Sequence, residues 1–187
     1  MKTDYLKLYN SLSDEQNMIM RSTSDWVKEH VRPFIENSFN DENPLDLKMK
    51  LADLGAFGPI FSEKYGGLDI DYISFGLMMK ELEKGDSSVR VVSSIQTSLV
   101  MYSIYKYGNE EQKRKYLPKL ASGEILGSFA MSEPSHGSDI SNMRTKFEIK
   151  DEKIIILGSK LWIGNASNAD ISIVWAKNSN DKVQAIV

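Results

Sequence analysis

The chain has 187 residues, of which 41% are hydrophobic and 26% charged, with a net charge of −3 and no cysteine. This is the composition of a globular protein of one or two domains, and it excludes disulfides, thiolate nucleophiles and cysteine-based metal centres. The acidic balance gives no basis for nucleic-acid binding. The two histidines argue against a metal site, and neither a membrane span nor a secretory signal is visible, so a cytoplasmic protein is expected.

Helical signals dominate the first two thirds of the chain. Ser13 and Gln16 form an S-x-x-Q capping box, and the periodic stretch that follows runs to Pro33. Asn43 is the expected N-cap of a second helix, which is expected to end at Gly55.

Three further helices are predicted before residue 124. Asp71 caps the first, which ends near Gly85, and Ser87 or Ser88 opens the second. Asn109 caps the third. The second helix carries four apolar residues along one face: Val92, Ile95, Leu99 and Tyr102. Two residues are expected to close the third: Pro118 and Gly123.

The pattern changes after residue 125 to short runs with strand propensity. They lie at 126–132, 144–150, 154–157, 170–177 and 182–187. The order predicts an α+β fold, with an all-helical domain at 1–124 and an antiparallel β-domain at 125–187. The last run would be an exposed edge strand. It favours an incomplete β-domain over a small sheet that simply ends there.

Two segments of the β-domain carry candidate chemistry. The stretch from Ser132 to Asp139 combines hydroxyls, Pro134 and Gly137, which suits a loop that binds a phosphate or a polar ring edge, although a polar turn has the same composition. A Ser/His/Asp triad is rejected, because its residues must converge from separate elements. In the second segment, Trp162 precedes a Gly-Asn turn and suits either stacking on a planar cofactor or core packing.

A third candidate lies between two predicted helices. Arg90 and Ser94 are four residues apart and share one helix face, with Glu83 and Asp86 close by. Such a group can bind a carboxylate through the guanidinium, or it can be an ordinary surface ion pair.

The combination of these segments resembles the acyl-CoA dehydrogenase family. The resemblance rests on FAMSEPSHGSD and KLWIGNASNAD, supported by LADLGAFGPIFSEKYGG and NEEQKRKYLPKLASGEILGSFAMSEP, and covers about residues 13–187. Within the family, ELEKGDSSVRVVSSIQTSLVMYSIYKYG is most similar to the glutaryl-CoA dehydrogenase subgroup.

This resemblance implies an FAD cofactor and an acyl-CoA substrate. One side of the flavin would be lined by Phe129, Met131, Ser132, Gly137 and Ser138, and the other by Trp162, Ile163 and Gly164. The distal carboxylate of glutaryl-CoA would be surrounded by Glu83, Arg90 and Ser94. Val91 would lie in the acyl pocket, and Ser138 would approach the phosphate-bearing part of the thioester.

The implied reaction is α,β-dehydrogenation of an acyl-CoA, with conversion of glutaryl-CoA to crotonyl-CoA and carbon dioxide favoured. Electron-transfer flavoprotein would accept the electrons, and a homotetramer would be the assembly. In the family a further helical domain follows the β-domain, and in the glutaryl-CoA dehydrogenase subgroup that domain supplies the catalytic glutamate. No catalytic residue is therefore assigned in this chain, which is expected to be a fragment inactive on its own.

One departure keeps alternatives open. Gly164 stands where the family usually has a threonine, whose hydroxyl reaches the flavin. A short-chain acyl-CoA dehydrogenase or an oxidase of the same family, and a non-catalytic acyl-CoA-binding or subunit-interaction protein, are the alternative functions.

Overall fold

A computed structural model describes residues 7–37 and 44–187; the expected N-cap Asn43 lies outside them. Within these ranges the chain forms a helical part followed by a mixed β-sheet. The α-helices are α1 (Asp14–Trp26), α2 (Arg32–Asn37), α3 (Lys48–Asp53), α4 (Tyr72–Gly85), α5 (Ser87–Ser94), α6 (Tyr102–Tyr107) and α7 (Glu110–Ala121). Short 3₁₀ turns lie at Leu8–Ser11, Pro44–Leu47, Glu63–Tyr65 and Ile140–Asn142.

The helix starts follow local capping chemistry. Ser13 and Asn109 each form a reciprocal capping box with the residue three positions on, and Asp71 accepts the N–H of the third residue of α4, as predicted. The start of α5 at Ser87 was also predicted correctly. Its N-cap is Asp86, whose carboxylate accepts from two backbone N–H groups, while Ser87 is already helical.

The two prolines do not end the helices as predicted. After α1 the helix continues through a π-helical turn at Val27–Val31 into α2, in which Pro33 is the second residue. Pro118 lies inside α7, which continues to Ala121.

A second π-helical segment, Ile95–Met101, joins α5 to α6. It adds residues to each turn, so the apolar face rotates relative to the predicted α-helical face. Leu99 and Tyr102 are consequently 39% and 38% exposed, whereas Val100 and Met101 are fully buried in their place. The first half of the predicted face remains buried.

The sheet has five strands in the described residues: β1 (Gly127–Ala130), β2 (Lys146–Lys150), β3 (Lys153–Leu157), β4 (Ile171–Lys177) and β5 (Val183–Ile186). Hairpins β2–β3 and β4–β5 are antiparallel, as expected. The pairs β1–β4 and β2–β4 are parallel, which makes the sheet mixed rather than antiparallel. The long connections that precede β4 allow this, because parallel pairing requires a crossover.

The buried side chains form two hydrophobic clusters, and the second hydrophobic cluster contains residues of both the helices and the sheet. In that cluster Ile173 of β4 packs with Leu117 and Leu120 of α7. The fully buried Gln96 joins the two parts through polar contacts. Its amide nitrogen donates to the carbonyls of Leu120 and Ile125 at 2.9 Å, and its oxygen accepts from the first N–H of β1 at 2.9 Å. This joint fixes β1 beside the helix that carries Arg90.

Candidate functional site

Two loop segments of the β-domain lie against each other. The first loop segment (residues 129–139) begins in β1, and the second loop segment (residues 160–165) precedes β4. The N–H of Leu161 donates to the carbonyl of Ser132 at 3.0 Å. Segments that are separate in the sequence therefore form one continuous surface.

A buried ion pair holds the two segments together. Lys160 Nζ lies 3.0 Å from Glu133 Oε1, and the two side chains are only 11% and 4% exposed. Lys160 also donates to the carbonyl of Met131 at 2.9 Å. The Glu133 carboxylate accepts the backbone N–H groups of Arg144 at 2.6 Å and Thr145 at 2.9 Å. These contacts occupy both side chains and leave neither for a ligand.

Glu133 has a strongly altered acidity. Burial by itself raises the pKa of the Glu133 carboxyl, but the N–H groups of Arg144 and Thr145 and the ammonium of Lys160 outweigh it and lower the pKa to about 2. The carboxylate is therefore a permanent acceptor and a poor base. No local signal in the sequence indicates this pair, because its partners are 27 residues apart.

The five cofactor-lining residues predicted in the first loop segment are Phe129, Met131, Ser132, Gly137 and Ser138. The first three are half-buried and the last two exposed. The ring of Phe129 lies 5.9 Å from that of Trp175 and packs on the second hydrophobic cluster. The segment thus presents backbone, hydroxyls and part of one ring at its surface.

Trp162 in the second loop segment is held out into solvent. Its side chain is 89% exposed, which excludes core packing. Its φ is 59°, and that of Asn165 is 63°. A left-handed backbone is strained for a bulky residue, and such strain is typical of functional sites. Of the other residues predicted here, Ile163 is half-buried and Gly164 exposed.

A groove of about 460 Å³ runs beside these segments, bordered by Ser128 and Ala130 of β1 and by Trp162 and Ile163. An exposed indole beside a groove that is lined by both apolar and polar residues is suited to a planar ring with a hydrogen-bonding edge. The residues present therefore fit a flavin ring.

The polar trio of Glu83, Arg90 and Ser94 lies where α4 meets α5. Arg90 Nε donates to Glu83 Oε2 at 2.6 Å, and Arg90 Nη1 donates to Ser94 Oγ at 3.2 Å. Ser87 Oγ also donates to Glu83, at 2.7 Å. The hydrogen bonds from Arg90 and Ser87 lower the pKa of the Glu83 carboxyl. The predicted trio is therefore assembled, and its guanidinium is paired and directed before any ligand binds.

The helix carrying Arg90 abuts the second loop segment. Val91 is half-buried and packs on the second hydrophobic cluster. Four residues on, Ile95 meets the loop: a Cβ placed on Gly164 would lie 2.4 Å from Ile95 Cδ1. Since a helix rises ~1.5 Å per residue, Arg90 is roughly 7.5 Å along the axis from Ile95. The Glu83–Arg90–Ser94 trio and the second loop segment are thus neighbours.

The described residues include no cluster of three or more His, Cys, Asp or Glu side chains that could hold a metal ion. In the same residues, no helix is long and apolar enough to cross a membrane.

Comparison with known families gives two matches that together span most of the chain. The family model described as acyl-CoA dehydrogenase, N-terminal domain, matches residues 13–124. The model described as acyl-CoA dehydrogenase, middle domain, matches residues 128–187.

Individual relatives carry different substrate names. Mitochondrial isovaleryl-CoA dehydrogenase of Pongo abelii is 36% identical over 179 residues, which are 94% of this chain and 42% of that protein. Glutaryl-CoA dehydrogenase of Desulfococcus multivorans is 34% identical over 170 residues, 89% of this chain and 44% of that protein. The chain thus spans less than half the length of these relatives.

Among solved structures, a glutaryl-CoA dehydrogenase from Mycobacterium smegmatis in complex with FADH2 superimposes with a TM-score of 0.90 at 34% identity. The superposition covers 96% of this chain and 46% of that one.

Proposed function

This chain belongs to the acyl-CoA dehydrogenase family, and we propose that it forms the flavin- and substrate-binding part of a longer FAD-dependent enzyme that oxidises glutaryl-CoA. The product would be crotonyl-CoA. A proton leaves the α-carbon, a hydride leaves the β-carbon, and the distal carboxylate departs as carbon dioxide while the γ-carbon takes up a proton.

The observation that carries the choice of substrate is the Glu83–Arg90–Ser94 trio. Arg90 is 32% exposed, so a ligand can reach it, and Glu83 and Ser94 orient its guanidinium. A carboxylate in a closed site needs a charged partner with a fixed donor geometry. A plain acyl chain would gain nothing from Arg90.

The roles of the remaining residues follow from their positions. FAD, when bound, would accept the hydride. The exposed indole of Trp162 would lie along one face of the ring, while Ser132 and the backbone of the first loop segment would meet its polar edge. Ser138 would approach the phosphate-bearing part of the thioester, and Val91 would contact the acyl chain. The Glu133–Lys160 ion pair would hold both loop segments in register.

The direct test is a substrate comparison with the full-length enzyme. We expect a yellow protein with bound FAD that reduces an electron-accepting dye fastest with glutaryl-CoA and releases one carbon dioxide per turnover. Isovaleryl-CoA and butyryl-CoA serve as matched substrates without the distal carboxylate. Faster turnover of either, without carbon dioxide, would contradict the glutaryl assignment while leaving the family activity intact.

A second candidate, an oxidase of the same family, is supported by position 164. Gly164 brings no hydroxyl to the second loop segment, and the terminal methyl of Ile95 lies where a side chain at 164 would begin. For the dehydrogenase, in contrast to the oxidase, we propose electron-transfer flavoprotein as the electron acceptor. Stoichiometric hydrogen peroxide release in air, with no transfer to electron-transfer flavoprotein, would favour the oxidase.

Assembly and location complete the proposal. Apolar side chains on β2 and β3 are exposed, among them Ile149 at 72% and Leu157 at 64%, which supports assembly with further protein surface in a homo-oligomer. The cysteine-free composition supports a cytoplasmic location.

Residues 1–124 and 125–187 are the proposed domains. Binding of acyl-CoA by the full-length protein without any flavin or turnover would favour the non-catalytic alternative.

A further inference from the structure

We infer that Ile95 and Gly164 form a size-matched pair, in which Ile95 determines how large residue 164 can be and positions the second loop segment against α5. The functional half of this inference rests on the proposed flavin site. The steric half does not depend on it.

Gly164 is not required by its backbone. The glycines with left-handed φ in the described residues are at 55, 58, 66, 123 and 158, so the backbone at 164 is open to any L-residue. What prevents a side chain there is one atom. A Cβ on Gly164 would be 2.4 Å from Ile95 Cδ1, and the next atom, Ile95 Cγ1, is at an ordinary 3.7 Å.

Ile95 cannot easily move aside. It is only 9% exposed and belongs to the second hydrophobic cluster. Its branched Cβ restricts χ1, so Cδ1 can leave this position only by rotation about χ2 within the packed cluster. It is also the first residue of the π-helical segment, so its backbone is held between α5 and that segment. The terminal methyl of Ile95 therefore occupies the volume that any side chain at 164 would need.

The pair also connects the two halves of the proposed site. Ile95 follows Arg90 on the same continuous helical stretch, and Gly164 lies two residues after the exposed Trp162. A side chain added at 164 would push the second loop segment away from α5 and displace Trp162. Ile95 is thus a positioning residue for the flavin-facing loop.

The test is a double-mutant cycle on the purified full-length protein with Gly164→Ala, Ile95→Val and both together. Ile95→Val removes Cδ1 alone. We expect Gly164→Ala to lower the melting temperature by about 3–10 °C, because overpacking is destabilising. In the Ile95→Val background the same change should cost nothing. Gly76→Ala in α4 is the control, since that glycine lies outside the proposed site and a Cβ there meets nothing within 4 Å, so it should lower neither the melting temperature nor FAD binding.

FAD retention is the second readout of the cycle. Gly164→Ala should weaken FAD binding, and Ile95→Val should restore it. An equal loss of melting temperature in both backgrounds, or no loss in either, would overturn the pairing. Rescue of the melting temperature without rescue of FAD binding would overturn the positioning role. If no variant and not even the parent protein binds FAD, the proposed function fails, while the melting cycle still decides the pairing.

Discussion

Two carboxylate–cation pairs in this molecule have similar chemistry but different environments. In Glu133–Lys160 the side chains are 4% and 11% exposed, and the two atoms are 3.0 Å apart. In Glu83–Arg90 they are 45% and 32% exposed, at the shorter distance of 2.6 Å. Removing one partner of a buried pair leaves an uncompensated charge, whereas an exposed pair is rehydrated at little cost. Burial, and not distance, therefore separates the pair that holds the loops from the pair that can receive a ligand.

The sharpest way to break this contrast is Lys160→Met. It leaves the Glu133 carboxylate buried without its cation, so we expect the free energy of unfolding to fall by about 3–5 kcal/mol in urea titrations. The double variant Glu133→Gln/Lys160→Met removes both charges and should recover part of that loss. A loss below about 1 kcal/mol for Lys160→Met would mean that the pair does not hold the segments together.

Lowering the pH should reduce the stability that the Glu133–Lys160 pair contributes. The pKa of Glu133 is about 2 in the folded chain, against an ordinary value of 4.5. A lowered folded pKa contributes stability above the unfolded pKa, and this is lost as the pH falls from about 4.5 towards 2. The contribution is about 3 kcal/mol. Unfolding followed across this range should show the slope in the parent and a flatter curve in Glu133→Gln; identical slopes would contradict the assignment.

Trp162 in the second loop segment allows a separate test of stability against ligand binding. Its left-handed backbone and 89% exposed side chain suggest a position kept for a ligand rather than for stability. Trp162→Gly should raise the free energy of unfolding by about 1 kcal/mol, because glycine adopts this conformation without strain. Trp162→Ala keeps the Cβ and should show no such gain. Destabilisation by Trp162→Gly would show that the indole makes stabilising contacts.

The smallest effect on stability is expected at the exposed pair. Arg90→Gln should leave the melting temperature close to that of the parent, since an exposed ion pair contributes little. Calorimetry on this variant beside Lys160→Met compares the two pairs directly. A comparable loss in both would remove the distinction between them.

Local signals allowed the sequence to predict much of the helical part. The caps at Ser13, Asp71 and Asn109 depend on residues within one turn, and so does the Arg90–Ser94 contact. Short-range chemistry also predicted both antiparallel hairpins.

Features that depend on distant partners were not predictable in the same way. The π-helical segment at Ile95–Met101 moves Leu99 to the surface. Gln96 within this segment bonds to residues that are distant in the sequence, such as Leu120. The parallel pairing of β1 with β4 joins strands about 40 residues apart. The Glu133–Lys160 pair likewise forms only in the folded chain.

The most direct test of the exposed pair as a ligand site is the substrate preference of Arg90→Gln in the full-length enzyme. Loss of a charged hydrogen-bonding contact should lower kcat/KM for glutaryl-CoA by about 10- to 150-fold. The value for butyryl-CoA should stay near that of the parent. Arg114→Gln, at an exposed arginine of α7, should change neither value. Equal losses on both substrates for Arg90→Gln would show instead that Arg90 is structural and does not select the substrate.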